Sequence, residues 1–575
     1  MFRDERFTGL TLNDLRRDAI AGITVGIVAI PLGMAFAIAS GVKPEYGLYT
    51  TIIAGILVAL FGGSRFQVAG PTGAFIPILL AIVLQYGYEN LLIAGLLAGI
   101  MLIIMGIFKL GGLIKFIPRS VTVGFTSGIA VIIFSGQIAD FLGLQGLEKK
   151  EYFHENMLEL FRHLSTINGY SVLTAIIGLF IIIVVPKLFP KVPVLLAALI
   201  VPTIVTIIFY PGQTATIGSA FGGISQSLPS FHFPEITWDK IMMLWQPAFV
   251  IAMLGGIESL LSAVVADGMT GKRHNSNREL IGQGIANVVT PLFGGIPATG
   301  AIARTATNIK SGAVSPFSGM VQGAFVLSTL LLLAPYASSI PLASMAPILM
   351  VVAYNMSEYR SFIHIVKLKS SDSIVLTVTF LLTVFVNLTV AVQVGLLLAA
   401  VSFIKRMSEV FEVEKVMPSL VKRKQNANES EEYGANCPKL AFYTIAGPLF
   451  FGAADKFESM ITRSINKRPQ VLILKMKHAS IIDATGINNL AALVNDFKNM
   501  GGQILIAEVN GQVRSMLKAS HLYDDIGPEH FFDHSSEAVD YALELIETGT
   551  CTQCGRKGFD TCQVFQPSGA LTEPE

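Results

Sequence analysis

The chain has 575 residues, of which 52% are hydrophobic and only 14% charged, and its mean hydropathy is +0.61. An ordinary soluble domain carries about 25% charged residues, so a wholly soluble globule is excluded. The net charge of +1, with no basic patch, gives no footing for nucleic acid as a partner.

In chain order, Met1 to Asp18 is polar and Arg-bearing, and the apolar run after it is too long for the core of a cleavable signal peptide. Apolar stretches long enough for about 30 Å of hydrocarbon then recur from Ala19 to Ile404. We place spans at 19–40, 47–61, 70–86, 89–108, 119–143, 170–186, 193–210, 244–266, 279–294, 299–312, 316–336, 341–355, 372–387 and 389–404. With the N-terminus inside, Lys and Arg favour the inner loops by roughly threefold or better. Arg16, Arg17, Arg65, Lys109, Lys115, Arg119, Lys187, Lys191, Lys272, Arg273, Arg278, Lys310, Arg360, Lys367, Lys369, Lys405 and Arg406 are inner, and Lys43, Lys149, Lys150, Arg162 and Lys240 are outer. An odd span count would scramble that bias, so both termini are expected in the cytoplasm.

The third and tenth spans are short and broken by Gly and Pro. Gly70-Pro71-Thr72-Gly73-Ala74 opens one, and Pro297-Ala298-Thr299-Gly300-Ala301 opens the other. They lie seven spans apart, an odd number, so the two halves run in opposite directions. Paired broken spans in an inverted repeat point to a transporter's central site. Each half-helix begins near the midplane with free backbone N–H groups and a positive dipole end, which suits an anion. The bland alternative is close packing or kinking in ordinary spans.

Charges inside spans are costly, about 2.5–3.5 kcal/mol each at mid-helix on insertion scales. Glu258 sits midway along the eighth span, with Ser262 one turn further on the same face. Arg304 lies about one turn into the tenth. Glu258 and Arg304 could pair at similar depth and face the cavity. Otherwise Glu258 is a structural partner, and Arg304 snorkels to the inner surface near Lys310.

After Lys405 the composition becomes ordinary. Leu440 to Ile445, Val471 to Met476 and Gln503 to Ala507 read as strands, and Asp455 to Ile465 as an amphipathic helix. Their alternation with helices implies an α/β fold with parallel strands. The expected division is 1–409 transmembrane, 410–436 linker, 437–548 soluble domain and 549–575 a Cys-bearing tail. Ile482-Asp483-Ala484-Thr485-Gly486 forms a strand-to-helix loop whose Asp and Thr suit helix capping. Cys551, Cys554 and Cys562 make an incomplete zinc set to which His530 or His534 could add, but free thiols in a disordered tail account for them; no metal or cofactor is expected. His154 and His163 with Glu148, Glu151 and Glu155 read as a solvated face. No phosphate-binding Gly-rich loop for ATP occurs, which favours secondary transport over a pump.

Several of these segments together resemble the sulfate permease (SulP) family of anion transporters. They are Pro31-Leu32-Gly33-Met34-Ala35-Phe36-Ala37, Pro44-Glu45-Tyr46-Gly47-Leu48-Tyr49, Phe61-Gly62-Gly63-Ser64-Arg65, Val68-Ala69-Gly70-Pro71, Asn277 to Gly284, and Arg304 to Asn308 with Gly312-Ala313. The soluble part resembles the STAS domain fused to these transporters and found in bacterial anti-sigma-factor antagonists. The resemblance implies an α-helical membrane protein of about fourteen spans in two inverted seven-span repeats, core and gate, usually dimeric. It implies an anion between the third and tenth spans. Leu32, Phe36, Thr72, Gly73, Ala74, Glu258, Ser262, Thr299, Gly300, Ala301 and Arg304 would line that site. A carboxylate at mid-membrane is poorly solvated, so Glu258, with Ser262, is expected to couple a cation, a proton ahead of sodium. Some members carry Gln where this chain has Leu32, which removes one possible hydrogen bond to substrate. In the antagonists a hydroxyl in the loop at 482–486 is phosphorylated, Thr485 is the only hydroxyl between Asp483 and Gly486 here, and a cytoplasmic protein could bind the STAS domain. Sulfate is the first expectation, bicarbonate with sodium the next, dicarboxylates after that. A nucleobase transporter of related fold and an anion-sensing signalling protein stand as other classes.

Overall fold

A computed structural model describes residues 4–112, 117–150, 152–189, 192–224, 226, 228–414, 439–453, 456–457, 459 and 469–546. The chain divides into two compact units, residues 1–399 and 400–575.

In the first unit, helices stand where the hydropathy places spans. In order they are Leu12–Ala39, Pro44–Phe61, Gly73–Tyr86, Tyr88–Ile107, Arg119–Leu142, Gly169–Leu188, Val194–Phe209, Trp238–Thr270, Ser276–Val289, Ile302–Lys310, Phe317–Ala337, Leu342–Met356, Ser371–Phe385 and Leu388–Val410. Eight of them are long and apolar enough to cross a membrane by length and composition alone. The broken third and tenth are among the short ones. Local chemistry sets the ends. Thr11 accepts from the Asp14 N–H in a capping box, Thr237 caps the eighth span and Asn275 the ninth. The Thr237 cap starts the eighth span earlier than hydropathy does, because Trp238 to Met243 form a helical approach with polar members.

Neighbours repeat after seven spans. The first span packs on the eleventh as the eighth packs on the fourth. The second lies against the eleventh as the ninth lies against the fourth, and the fifth against the thirteenth as the twelfth against the sixth. This is the packing of two inverted seven-span repeats. Small residues bring the helices close. A Cβ on Gly47 would stand 1.9 Å from the carbonyl oxygen of Gly33, so no side chain fits between the first two spans there.

Shorter helices at Phe153–Arg162 and Tyr359–Lys367 escape a hydropathy reading, because they are amphipathic. The loop that reads as a solvated face therefore contains a helix, although His163 still pairs only locally with Glu159.

Two short strands lie in the first unit, β1 (Ala69–Gly70) and β2 (Thr299–Gly300). The second unit holds a five-stranded sheet in the order β3-β4-β5-β6-β7, comprising Glu412–Glu414, Leu440–Leu449, Val471–Ile482, Gln503–Ala507 and Phe531–Phe532. β3 is antiparallel to β4, and the other pairs are parallel. Alternation sends Leu472, Leu474 and Met476 to one face with Leu490, Leu493 and Phe497. Val471 and Ile473 go to the other face with Ala538, Val539 and Ala542. β3 falls inside the stretch expected to be linker; three residues are too few for a period-two pattern to register. Glu508 follows β6. Its burial opposes the charge, but the Ser535 hydroxyl and the Lys475 ammonium, 3.0 Å away, hold its carboxyl below the usual range. Cys437, Cys551, Cys554, Cys562 and most of the predicted helix at 455–465 lie outside the described residues.

Candidate anion site

The two breaks meet. β1 (Ala69–Gly70) pairs antiparallel with β2 (Thr299–Gly300), with Ala69 opposite Gly300 and Gly70 opposite Thr299. Each strand runs to a helix start, at Gly73 on one side and Ile302 on the other. Neither start has a side-chain cap: the residues before them are Thr72 and Ala301, and neither makes a capping bond. First-turn N–H groups are thus left to another partner.

The matching Thr-Gly-Ala triplets are not equivalent in space. Thr72 stands immediately before its helix, whereas Thr299 belongs to the strand itself. Their environments differ accordingly. Thr72 is partly exposed, and its hydroxyl donates to Glu258 Oε2 at 2.9 Å. Thr299 is fully buried and donates to the Gly255 carbonyl at 2.9 Å. The triplet identity is out of register with the structural repeat, although the repeat is there.

Glu258 and Arg304 both meet the third-span break, one residue apart, and attract each other without a direct ion-pair contact. Glu258 takes the Thr72 hydroxyl, and Arg304 Nη2 donates to the Pro71 carbonyl. Arg304 is 2% exposed and its Nη1 has no hydrogen-bond partner, so it does not snorkel to the surface. Nη1 packs against Gly70, where a Cβ would stand 2.6 Å from it. Glu258 itself is partly exposed.

Phe36 lies beside Gly73: its Cε1 is 3.5 Å from where a Gly73 Cβ would stand, and Met356 Sδ is 2.8 Å from that point. Leu32 sits one turn earlier on the same helix, also buried. Ala74 and Ala301 are buried beside the helix starts. Ser262 differs from expectation. It is fully buried, and its hydroxyl donates to Thr305 Oγ1 at 3.1 Å. The i,i+4 spacing puts it on Glu258's side of the helix, but the tenth span claims the hydroxyl first.

Behind the site is a polar scaffold that sequence reasoning missed. Gln67 Nε2 donates to the Ser259 carbonyl at 3.0 Å, and it fills the place where a Cβ on Gly300 would go, 1.8 Å away. Ser259 Oγ accepts from the Gly300 N–H at 3.0 Å, and Thr305 Oγ1 accepts from the Val68 N–H at 3.1 Å. The side chain of Asn287 acts as a strand partner for Ala298, accepting from its N–H and donating to its carbonyl, each at 2.8 Å. Extended backbone inside a membrane must be satisfied by protein, and these side chains do that. The available signal was an unusual density of buried amides and hydroxyls in apolar helices.

In the soluble unit, Asp483 caps the helix Ala484–Asn499 by accepting from Gly486 N–H at 2.8 Å and also from Phe451 N–H at 3.1 Å. Thr485 is partly exposed and takes no part in that cap. His530 Nδ1 lies 2.6 Å from the Ile526 carbonyl. Among the described residues, no group of three or more His, Cys, Asp or Glu is placed to hold a metal ion.

The two breaks thus bring two uncapped helix starts, a buried guanidinium and a pair of short strands together. Residues 15–379 match the sulfate permease family and residues 435–538 the STAS domain, so the chain belongs to the sulfate permease family. It is similar to the candidate sulfate transporter YvdB of Bacillus subtilis (strain 168), 54% identical over 534 residues that cover 92% of this chain and 98% of that one. It is also similar to the bicarbonate transporter BicA of Picosynechococcus sp. (strain ATCC 27264 / PCC 7002 / PR-6), at 30% identity over 92% of this chain and 95% of the relative. Among solved structures it resembles the transmembrane domain of a cyanobacterium BicA, with TM-score 0.60 and 32% identity over 68% of this chain and 98% of that one. The murine anion transporter Slc26a9 in the inward-facing state shares the fold, with TM-score 0.80 and 19% identity over 92% of this chain and 91% of that one.

Proposed function

We propose that this chain is a secondary active transporter of an inorganic anion, with sulfate as the substrate and a proton as the coupled cation. The observation that carries the reading is the meeting of two uncapped helix starts beside Arg304, with Glu258 held at the same break by Thr72. Thr72, Gly73, Ala74, Thr299, Gly300, Ala301 and Arg304 form the cradle, and Leu32 and Phe36 wall it. The helix starts and the guanidinium supply positive potential without committing to one oxyanion shape. Glu258, one side of which is exposed, takes the proton so that the loaded site carries less net charge against an inside-negative potential. The name of YvdB supports sulfate. The name of the BicA relatives supports bicarbonate as a second reading; sodium would then be the coupled cation, with the Thr72 hydroxyl and the Glu258 carboxylate as oxygen ligands.

The protein would act in the plasma (inner) membrane as a homodimer with both termini in the cytoplasm. Residues 1–409 would form the carrier, and the STAS domain would tune its rate, with Thr485 as a phosphorylation point for a cytoplasmic partner. The test is uptake of labelled sulfate and bicarbonate into proteoliposomes under imposed pH or sodium gradients, in wild type and Glu258→Gln. Sulfate uptake driven by the pH gradient and lost in the variant is expected. Uptake that needs sodium and ignores pH would overturn proton coupling, and bicarbonate uptake without sulfate uptake would overturn the substrate.

A further inference from the structure

A cavity of about 330 Å³ lies at the end of the first unit where the fourteenth span begins, with Leu388 and Thr389 among its lining. It sits between the third span, the end of the fifth, the helix Phe153–Arg162 and the turn into the fourteenth. Its floor includes Ile76 and Ile133. Ile133 Cδ1 is only 3.5 Å from where a Cβ on Gly73 would stand, so one layer of apolar side chains parts the cavity from the site.

The charged groups lining it are Asp140, Glu148, Lys149, Lys150 and Glu159. Most are already engaged. Lys150 pairs with Glu148 at 2.5 Å, and Glu159 lies against Arg162 and His163. The Lys149 ammonium reaches across the cavity mouth to the last turn of the first span and donates to the Ile38 carbonyl at 3.3 Å. A cation is favoured there, at a negative helix end. Asp140 makes no hydrogen bond or direct ion pair among the described residues, but it already feels the positive charge of Lys149 across the same cavity. The first span belongs to the bundle that carries the two breaks, and Lys149 belongs to the loop after the fifth span. The contact therefore joins two groups of helices that must part if the site is to open at this end.

We infer that the cavity is the entry vestibule of the transport path and that Lys149 is its latch. Bound to Ile38, Lys149 holds the vestibule shut; on opening it exchanges that carbonyl for the carboxylate of Asp140. The inference rests on the carrier reading above. It predicts opposite effects from two neighbouring residues: losing Lys149 frees the closed state, and losing Asp140 removes the lysine's partner in the open one. A lysine that merely caps a helix, with Asp140 attracting it across the cavity, would give both losses an effect in the same direction.

The probes are a negatively and a positively charged, membrane-impermeant methanethiosulfonate applied outside intact cells to Ala139→Cys, which lines the vestibule, and the geometric mean of their rates cancels the local charge changed by each variant. Gln145→Cys on the exposed loop is the control. The native cysteines at 437, 551, 554 and 562 lie outside the spans, and peptide mapping separates them. Lys149→Met should speed Ala139→Cys labelling about tenfold, the factor expected from losing one hydrogen bond to a charged group. Asp140→Asn should slow it by a similar factor, and Lys149→Arg should keep the wild-type rate. Rates that shift in the same direction in Lys149→Met and Asp140→Asn, or do not shift at all, would overturn the latch. No labelling of Ala139→Cys in any background, with the control labelled, would overturn the vestibule. The labelling does not depend on which anion is carried. A failed uptake panel with the opposed labelling pattern intact therefore sinks the substrate assignment alone, and the reverse result sinks only the vestibule.

Discussion

The third and tenth spans share a backbone plan but not a chemistry. Both open on a short strand, pair with each other and start a helix without a cap. The third-span helix is apolar, and its break offers Pro71 and Thr72 to groups from elsewhere. The tenth-span helix is polar, and three of its nine residues, Arg304, Thr305 and Asn308, are buried. Arg304 grips Pro71, Thr305 receives the Val68 N–H, and Asn308 donates to the Phe66 carbonyl at 3.0 Å. So the tenth span holds the third. An inverted repeat supplies the symmetry of a central site, and divergence within it lets one half serve as scaffold while the other keeps a partly exposed hydroxyl.

The sharpest way to break that comparison is to add the same methyl group to each half. A Cβ at Gly300 would collide with Gln67, which is fixed by Ser259. Gly300→Ala should therefore cost about 3 kcal/mol or more and leave little folded protein. At Gly73 the nearest atoms are the ends of flexible Met356, Ile133 and Phe36 side chains. Gly73→Ala should fold normally and weaken anion binding. Fluorescence size-exclusion profiles and calorimetry separate the two, and equal folding of both variants would deny the scaffold role of the tenth break.

Arg304→Ala comes next in size. It removes the buried positive charge and leaves the Pro71 carbonyl unpaired, so anion affinity should fall by about 1.5–3 kcal/mol, or roughly ten- to hundredfold. Calorimetric binding that stays at the wild-type value would show that the helix starts suffice. Thr72→Val should do less. It strips one hydroxyl from Glu258, which can turn to water on its exposed side, and about 1 kcal/mol of affinity is expected to go. Because Glu258 loses a donor, the cation dependence of uptake should shift together with the affinity.

The fourteen spans were legible because hydropathy reports burial in lipid directly, and the two breaks were legible because Gly and Pro interrupt it. Register was not. The Thr-Gly-Ala match aligned Thr72 with Thr299, while the strand pairing offsets them, since identity of residue type carries no information about which backbone position a helix starts from. Gln67, Ser259 and Asn287 went unnoticed for a similar reason. Their work is to pair with backbone, and only the fold says which backbone groups need pairing. Met356 and Ile133 near Gly73 carry no polar signature at all. Helices such as Tyr359–Lys367 and the edge strand Glu412–Glu414 were lost to amphipathic character and shortness. Among named site residues, Ser262 is the one whose surroundings differ most from what spacing implied.

Ser262 therefore makes the finest test of the two-part arrangement. Its hydroxyl is buried and donates to Thr305, which also receives the Val68 N–H. On this geometry Ser262 belongs to the scaffold that binds the eighth span to the tenth. Ser262→Ala keeps the shape, and Thr305 keeps one donor in Val68. The loss should be about 0.5–1.5 kcal/mol of stability, one ordinary hydrogen bond. Anion affinity and the response of uptake to pH or sodium should hold at wild-type values. A cation ligand would behave otherwise: its removal would raise the cation concentration needed for half-maximal uptake while hardly moving the melting temperature. Measuring both on one preparation distinguishes the roles, because each predicts a change where the other predicts none. A shift in cation dependence without loss of stability would return Ser262 to the site and would mean that its hydroxyl leaves Thr305 during the cycle.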